Sequence, residues 1–290
     1  MHEHPFMVHT TFQYGGAQGK RHRLREAMMW EDDPAYYSQA DFLVFEPSLP
    51  YNLVYPKGGK VLADGTQKFE LRGSVDDHFK LVHHQLTQIR NGFALAKALG
   101  RVLILPRLVC GLDRWWAPHS GIIPGSAARL PLLECPADHV IDLERMGKPE
   151  RVLREQTMLC NPRTPHSVLS STATVDPASS SMAVLPDGSN AAEVRPAGLS
   201  LVSRLQSTHA RTKVLRLSDV PPDYRAVLPA NEIDNFEATM RGYAGLWCCN
   251  RPPGGRGAGH IWYDFLHDVV PHRDRFNRKW DAEWIPKMGP

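Results

Sequence analysis

The sequence predicts an α/β fold, and two helix and strand pairs carry that prediction. Between Phe79 and Leu99 apolar side chains recur at spacings of three and four residues, which marks one face of a helix. Gly100 ends that helix, and the apolar run 101–106 follows directly as a buried strand, an order typical of an α/β sheet. A second strand at 212–217 precedes another amphipathic helix. The apolar face of that helix consists of Ile233, Phe236, Met240 and Tyr243.

Composition favours a soluble globular protein. Hydrophobic residues make up 42% of the 290 residues and charged residues 22%, while the 24 prolines imply long irregular connections. The formal charge of +3 is close to balance, so a whole face devoted to nucleic acid is not favoured. No apolar run is long enough to span a bilayer, and the first residues lack the pattern of a signal peptide.

The stretch from Met7 to Arg25 predicts a phosphate-binding segment. A short apolar run ends at a histidine, a glycine-rich turn follows, and a cluster of cations then opens a helix. Glycines let main-chain N–H groups converge on an anion, cations supply the countercharge, and a neutral imidazole binds a divalent metal that arrives with a diphosphate. The predicted phosphate-binding residues are Gly15, Gly16, Gly19, Lys20, Arg21 and Arg23, and the predicted metal ligand is His9.

Two other interpretations of this stretch stay open. Gly-Gly before basic residues is also what a surface turn before a solvated helix looks like, and the basic run would equally suit targeting or nucleic-acid binding. Downstream we expect a helix from Arg21 to Trp30 that ends before Pro34. A short buried strand at 41–45 follows, and 47–73 reads mostly as loop with one hairpin.

Polar and aromatic residues follow the strand 101–106, where an α/β sheet binds its ligands. Paired tryptophans beside charged residues are typical of sugar recognition, because flat aromatic faces stack on sugars while charged groups bind the hydroxyls. The alternative is that both tryptophans cover an edge of the core. The spacing of the nearby cysteines and histidines fits no usual zinc pattern. The substrate candidates are Asp113, Arg114, Trp116 and His119.

Residues 147–207 differ in composition from the rest of the chain. This stretch is rich in Ser, Ala and Pro and has too few apolar residues to pack, so we expect a disordered insert. Order returns with the strand at 212–217, and the last residues read as mostly irregular.

Three blocks of the sequence resemble the plant and algal arabinosyltransferases of glycosyltransferase family 77. The blocks cover most of the chain outside the Ser- and Pro-rich stretch. The runs that carry the resemblance are Val8–Tyr14, Gly19–Ala27, His84–Leu86, Gln88–Arg90, Cys110, Leu112–Arg114, Trp116, His119, Gly125–Ser126, Arg129, Cys135–Pro136, Asp138–Val140, Gly245, Trp247–Cys249, Gly259–Ile261 and Tyr263–Asp264.

The resemblance implies a metal-dependent GT-A enzyme of the Golgi lumen, a type II membrane protein that needs Mn²⁺ or Mg²⁺. Such an enzyme transfers a pentose, typically L-arabinofuranose from UDP-arabinofuranose, to arabinosides on hydroxyproline-rich cell-wall glycoproteins. By analogy His9 would bind the metal, Gly15 and Gly16 would cradle the diphosphate, and Lys20 would be the phosphate cation, with Arg21 or Arg23 as alternatives. The resemblance assigns no catalytic residue.

The chain departs from the family pattern in two respects. It has no N-terminal membrane anchor, and no Asp-x-Asp, the motif that coordinates metal and nucleotide sugar in related enzymes, occurs in it. We therefore expect the C-terminal portion of such an enzyme, inactive when taken alone. The alternatives are a noncatalytic subunit or truncated paralogue, and a nucleic-acid binder that uses the basic run.

A fainter resemblance to protein O-fucosyltransferases at 79–106 implies a second, Rossmann-like α/β domain behind the catalytic one. A lumenal location would favour a disulfide between Cys110 and Cys135, with Cys160 as the partner of Cys248 or Cys249. The expected organisation is the C-terminal end of the GT-A domain at 1–46, a loop and hairpin linker at 47–74, the two parts of the smaller domain at 75–146 and 208–270, the insert at 147–207, and an irregular tail at 271–290.

Overall fold

The computed structural model describes residues 16–50, 53, 60–61, 67–68, 75–109, 134–176, 191–243, 245–247, 261–263 and 265–266. The helices are α1 (Gly16–Glu26), α2 (Pro34–Ser38), α3 (Val75–Leu99), α4 (His166–Leu169), α5 (Ala191–Thr208), α6 (Tyr224–Val227) and α7 (Ile233–Tyr243). The strands are β1 (Phe42–Phe45), β2 (Lys60–Val61), β3 (Gln67–Lys68), β4 (Val102–Ile104), β5 (Leu108–Val109), β6 (Glu134–Cys135), β7 (Leu153–Arg154), β8 (Thr172–Val175), β9 (Val214–Leu217), β10 (Gly245–Trp247) and β11 (Ile261–Tyr263).

Within the described residues the central element is a five-stranded parallel sheet with the order β7-β4-β1-β9-β8. β1 lies in the middle, where Phe42 pairs with Val102 on one side and with Val214 on the other. Three antiparallel pairs, β2 with β3, β5 with β6, and β10 with β11, lie outside this sheet. The α/β class that the sequence predicts is therefore confirmed.

Both faces of the sheet are covered. On one face Leu43 and Leu103 belong to the larger core, which α3, α5, α6 and α7 supply with apolar side chains. On the other face Phe42 and Ile104 pack with α2, α4 and the turn at Met158. Strands buried on both faces read as continuous apolar runs, which is why β1, β4 and β9 were the strands that the sequence predicted.

The helix α1 begins and ends earlier than the predicted 21–30. Its end is a Schellman arrangement, in which Met29 N–H donates to Leu24 O at 2.8 Å and Met28 has φ 57°. The predicted end of α3 uses the same arrangement with Gly100 at φ 65°. Glycine at this position is a sequence signal for a helix end, whereas methionine is not. Only the end of α3 could therefore be predicted.

The prediction of a disordered insert at 147–207 is wrong for the described parts of this stretch, which contain strands and helices. β7 and β8 are the two edge strands of the central sheet, and α5 packs Leu201 and Leu205 against the core. Edge strands contact one neighbour only, so the sequence of Thr172–Val175 is polar enough to be mistaken for a linker. Residues 177–190 lie outside the described residues.

The structure also differs from the expected assignment of 1–46 and 75–146 to two separate domains. β1, which we assigned to the end of a first domain, forms the middle of the sheet that β4 and β9 complete. Strand order does not follow chain order here, and composition carries no signal for that. Within 47–73, where alternation at 60–62 and 69–71 allows a hairpin, β2 pairs antiparallel with β3 at Gln67–Lys68.

Candidate functional site

The carboxyl ends of the parallel strands carry polar residues that form the candidate site. Glu46 follows β1, Glu155 follows β7 and Asp176 follows β8. Ser218 follows β9, and its hydroxyl donates to Asp176 Oδ1 at 3.0 Å. Because the strands are parallel, these residues lie along one edge of the sheet, here called the carboxyl edge, and this is where α/β sheets bind ligands.

Two buried glutamines of α3 hold the segments that leave β1 and β4 at this edge. Gln85 Nε2 donates to Val109 O at 2.8 Å, and Val109 N–H donates back to Gln85 Oε1 at 2.8 Å. Gln88 forms the same two-way pair with Ser48, at 2.9 Å to the carbonyl and 2.8 Å from the N–H. Each amide binds both the N–H and the C=O of one residue, as a neighbouring strand would.

His84 lies beside the second of these pairs. Its Nε2 is 2.9 Å from Ser48 O and 3.4 Å from Ser48 Oγ, and its ring is partly exposed. Ser48 is exposed, and its hydroxyl donates to Gln88 Oε1 at 3.2 Å. An imidazole, a hydroxyl and an amide therefore meet at the carboxyl end of β1.

Two further polar residues of α3 bind segments beyond the sheet. Asn91 Nδ2 donates to Pro222 O at 2.8 Å, in the segment after β9. Arg90 Nη1 donates to Phe265 O at 3.0 Å, and its guanidinium lies 4.6 Å from the centre of the Tyr224 ring. Polar side chains of α3 therefore hold four separate backbone segments in place.

The start of the predicted phosphate segment is only partly described. Gly15 and His9 lie outside the described residues. Gly16 begins α1 at φ 53°, and a Cβ at this position would lie 2.5 Å from Glu144 Oε1. Gly19 is buried, Lys20 is exposed, and the Arg21 guanidinium lies 5.3 Å from the centre of the Trp30 ring.

The later cations of α1 are neutralised within the fold. Arg23 donates from Nη2 to Asp138 Oδ1 at 2.7 Å and from Nε to the same oxygen at 3.1 Å. Arg25 forms a two-pronged ion pair with Asp32, at 2.8 and 2.5 Å, and both side chains are at most 8% exposed. Within the described part of the chain Lys20 and Arg21 make no such pair, so they are the cations of α1 that remain open to a phosphate.

A cation–π stack ties α1 to the edge strand β7. The Tyr36 ring lies between the guanidinium groups of Arg25 and Arg154, at 4.3 and 4.0 Å from its centre. The Tyr36 hydroxyl donates to Glu155 Oε2 at 2.5 Å, and burial raises the pKa of the Glu155 carboxyl. Arg25 and Arg154 therefore contribute to stability, with no free charge for a ligand.

Two more ionisable groups of α1 face inward. Burial lowers the pKa of His22 to about 4, and His22 is 1% exposed. Burial raises the pKa of Glu26 to about 8, although Ala137 N–H donates to Glu26 Oε1 at 2.9 Å. Near neutral pH both groups are therefore uncharged, and Glu26 holds the residues that follow β6.

The substrate candidates Asp113, Arg114, Trp116 and His119 lie outside the described residues and stay predictions. The strands on either side of them are described. Val109 of β5 pairs with Glu134 of β6, so the two ends of the candidate segment are adjacent. α3 holds the first end through Gln85, and α1 holds the second through Glu26.

No three His, Cys, Asp or Glu side chains in the described ranges are placed to share a metal ion, and the predicted ligand His9 lies outside those ranges. Cys160 is an exposed free thiol, which corrects its predicted disulfide. The pairing of Cys110 with Cys135 falls outside what is described.

In the described part of the chain, no helix is both long and apolar enough to cross a membrane.

The amides of α3 are the residues that sequence reasoning missed. Gln85, Gln88 and Asn91 recur at a spacing of three on a helix whose apolar face was recognised, but their partners are backbone atoms far along the chain. The one signal was that Gln85 and Gln88 stood within the runs of the family resemblance. A polar residue next to an apolar stripe usually faces solvent, so periodicity alone could not have found them.

The fold and the carboxyl edge define an α/β protein with a candidate ligand site beyond its parallel strands. Sequence comparison makes the relation specific. The chain is 34% identical over 284 residues to the arabinosyltransferase XEG113 of Arabidopsis thaliana, across 92% of its own length. The chain is therefore a relative of an arabinosyltransferase, as the resemblance indicated.

The chain spans about 41% of the length of that relative. No family model matches the chain, and no solved structure matches it.

Proposed function

We propose that this chain forms part of a glycosyltransferase that transfers L-arabinofuranose from UDP-arabinofuranose to hydroxyproline-linked arabinosides of cell-wall glycoproteins in the Golgi lumen. The observation that carries the proposal is the 34% identity to an arabinosyltransferase over almost the whole chain. The polar carboxyl edge supports it, because a sugar needs hydroxyl, amide and imidazole partners of the kind found at Ser48, Gln88 and His84.

A GT-A domain would need a metal, Mn²⁺ or Mg²⁺, to neutralise the leaving diphosphate. The described residues offer no ligand set for it, and His9 remains the proposed ligand. We derive no step through the metal. The open cations Lys20 and Arg21 are the proposed diphosphate partners, because Arg23 is already paired with Asp138.

A second candidate function is a noncatalytic relative of such an enzyme. No Asp-x-Asp occurs among these 290 residues, which span about 41% of the relative's length. A protein of this kind would bind a UDP-sugar or a glycan without turning it over. Nucleic-acid binding through the basic run has less support, since Arg23 and Arg25 form ion pairs with Asp138 and Asp32.

The test is a donor screen on the full-length protein. UDP-arabinofuranose, UDP-xylose and UDP-galactose are each offered with an arabinosylated hydroxyproline peptide, with and without Mn²⁺, and transfer is followed by mass spectrometry. We expect transfer from UDP-arabinofuranose only, and none to a matched proline peptide. Transfer from another donor would overturn the sugar assignment. UDP binding without transfer from any donor would favour the noncatalytic relative.

A further inference from the structure

A cavity of about 400 Å³ lies at the edge of the sheet opposite the carboxyl edge. Val102 and Val152, which stand where β4 and β7 begin, line it together with residues of α3 and α7. An α/β sheet usually binds its ligands at the carboxyl ends of its strands, so this cavity is separate from the candidate site described above. Its volume is in the range of cavities that hold small molecules.

Much of the lining is apolar and aromatic. Phe93 of α3 and both Phe236 and Met240 of α7 line the cavity and are buried. The Tyr243 ring, also in the lining, has its centre 6.0 Å from that of Phe93, and the two ring planes are tilted by 59°. Ring faces and a thioether pack well against a flat aromatic group, so an aromatic ligand suits this part of the cavity.

Two polar groups of the lining are available to a ligand. Within the described ranges the Tyr243 hydroxyl makes no hydrogen bond, and burial raises the pKa of this phenol, so it stays protonated and can donate. The Arg151 side chain is exposed and makes no ion pair with any described residue. A hydrogen-bond donor and a positive charge therefore border the apolar part of the cavity.

The other cations of the lining are already bound. Lys97 Nζ is 2.7 Å from Glu232 Oε2, and the Arg101 guanidinium donates to three backbone carbonyls at 2.8 to 3.2 Å. Among the described residues that line the cavity none is Asp or Glu, so no carboxylate of the lining competes for Arg151. The charge of the lining is therefore complementary to an anionic ligand.

We propose that this cavity is a binding site for an aromatic carboxylate, a site independent of the proposed transfer reaction. The ring packs against Phe236 and Met240, Arg151 supplies the countercharge, and the Tyr243 hydroxyl supplies a donor. Because Arg151 is exposed, the carboxylate stays partly hydrated, and binding does not require a fully buried charge.

The first test titrates the full-length protein with 2-naphthoate and with 2-naphthamide, which share their rings and differ in charge. We expect 2-naphthoate to bind about fivefold more tightly, and Arg151→Gln to bring the two affinities within about twofold of each other. The control is Arg241→Gln, which removes an exposed cation of α7 that is not in the lining and should leave the preference intact. An equal loss of preference in both variants would overturn the site, since net charge alone would then explain the preference.

The second test locates the probe in the wild-type protein. With ¹³C-labelled methionine methyl groups, 2-naphthoate should shift the resonance of Met240, assigned by its loss in Met240→Leu, and leave those of the exposed Met28 and Met29 unchanged. No shift at Met240, or shifts confined to Met28 and Met29, would overturn the proposal. A Met240 resonance that moves with protein concentration when no probe is present would assign the cavity to a second copy of the chain and would overturn it as well.

Discussion

The two helices α1 and α3 both carry rows of polar residues, but they use them in opposite ways. α1 carries charges, and Arg23 and Arg25 are neutralised by carboxylates that the fold brings to them. α3 carries amides, and Gln85 and Gln88 bind backbone groups of segments that leave the sheet. Together they hold both ends of the segment in which the substrate candidates fall.

The difference shows why charge density is a poor guide to a ligand site. A run of cations is conspicuous in a sequence, yet two of the four cations of α1, Arg23 and Arg25, are neutralised by Asp138 and Asp32 from elsewhere in the chain. Amides attract little attention, but each can satisfy a backbone donor and acceptor at once. The organising residues of the carboxyl edge are therefore the less conspicuous ones.

The largest effect is expected when the charge pairing of α1 is broken. Arg25→Met leaves Asp32 as an unpaired carboxylate in a site where both side chains are at most 8% exposed, and it removes one side of the Tyr36 stack. We expect a loss of about 3–5 kcal/mol in the free energy of unfolding, measured by urea denaturation.

The control for this change is Arg241→Met. Arg241 forms an ion pair with Glu237 and its side chain is 60% exposed, so its loss should cost less than about 1 kcal/mol. Equal effects of the two substitutions would contradict the view that α1 is neutralised by buried partners.

The protonation of Glu26 gives the next effect, which depends on pH. Burial raises the pKa of Glu26 from 4.5 to about 8, so the folded protein binds more protons than the unfolded chain between these values and loses stability as pH rises through them. The E26Q variant lacks this carboxyl, so it does not lose stability in this way. The lowered pKa of His22 acts below 6.5 and the raised pKa of Glu155 is common to both proteins, so from pH 6.5 to 8 the difference between wild type and E26Q reports Glu26.

Over that window the unfolding free energy of wild type should fall relative to that of E26Q, as measured by urea denaturation at a series of pH values. Glutamine retains an oxygen for Ala137 N–H, so the contact itself is preserved. Parallel pH profiles for the two proteins would show that Glu26 is ionised in the fold.

A smaller effect is expected when an amide of α3 is removed. Gln85→Met keeps the side-chain volume but leaves Val109 N–H and C=O without their partners, at a cost of about 1–3 kcal/mol. Hydrogen exchange should be faster at Val109 and the residues next to it. Lys80→Met, at an exposed position of the same helix, should change neither quantity.

The smallest effect concerns the open cations of α1. Lys20→Ala should weaken UDP binding by about 0.5–1 kcal/mol at low salt without altering stability, because Lys20 is exposed. Arg23→Gln should lower stability and leave UDP binding unchanged, since Arg23 is bound to Asp138. Isothermal titration and thermal melting of the two variants separate these roles, and a larger loss of UDP affinity in R23Q would reverse the assignment.

The sequence was sufficient to predict those elements whose structure is determined by a local residue pattern. α3 was predicted from its apolar face, its end from Gly100, and the inner strands from their apolar runs. Each of these signals lies within a few residues of the feature it predicts. The strand order was not predictable, because nothing in β1 itself says that β9 will lie beside it.

The candidate site was less predictable than the fold. The contacts that define it join Gln85 to Val109 and Gln88 to Ser48, across 24 and 40 residues of chain. The pairing of Arg23 with Asp138 spans 115 residues. Such partners are brought together by the sheet topology, so a sequence pattern can suggest the residue types without suggesting what they bind.

The most direct test of the account is hydrogen exchange of the full-length protein with and without UDP and the arabinosylated hydroxyproline peptide. The account places the reaction at the carboxyl edge, so the ligands should slow exchange at 46–50 and 105–109, the segments that Gln88 and Gln85 hold. Slower exchange confined to α1, with no change in those two segments, would contradict it.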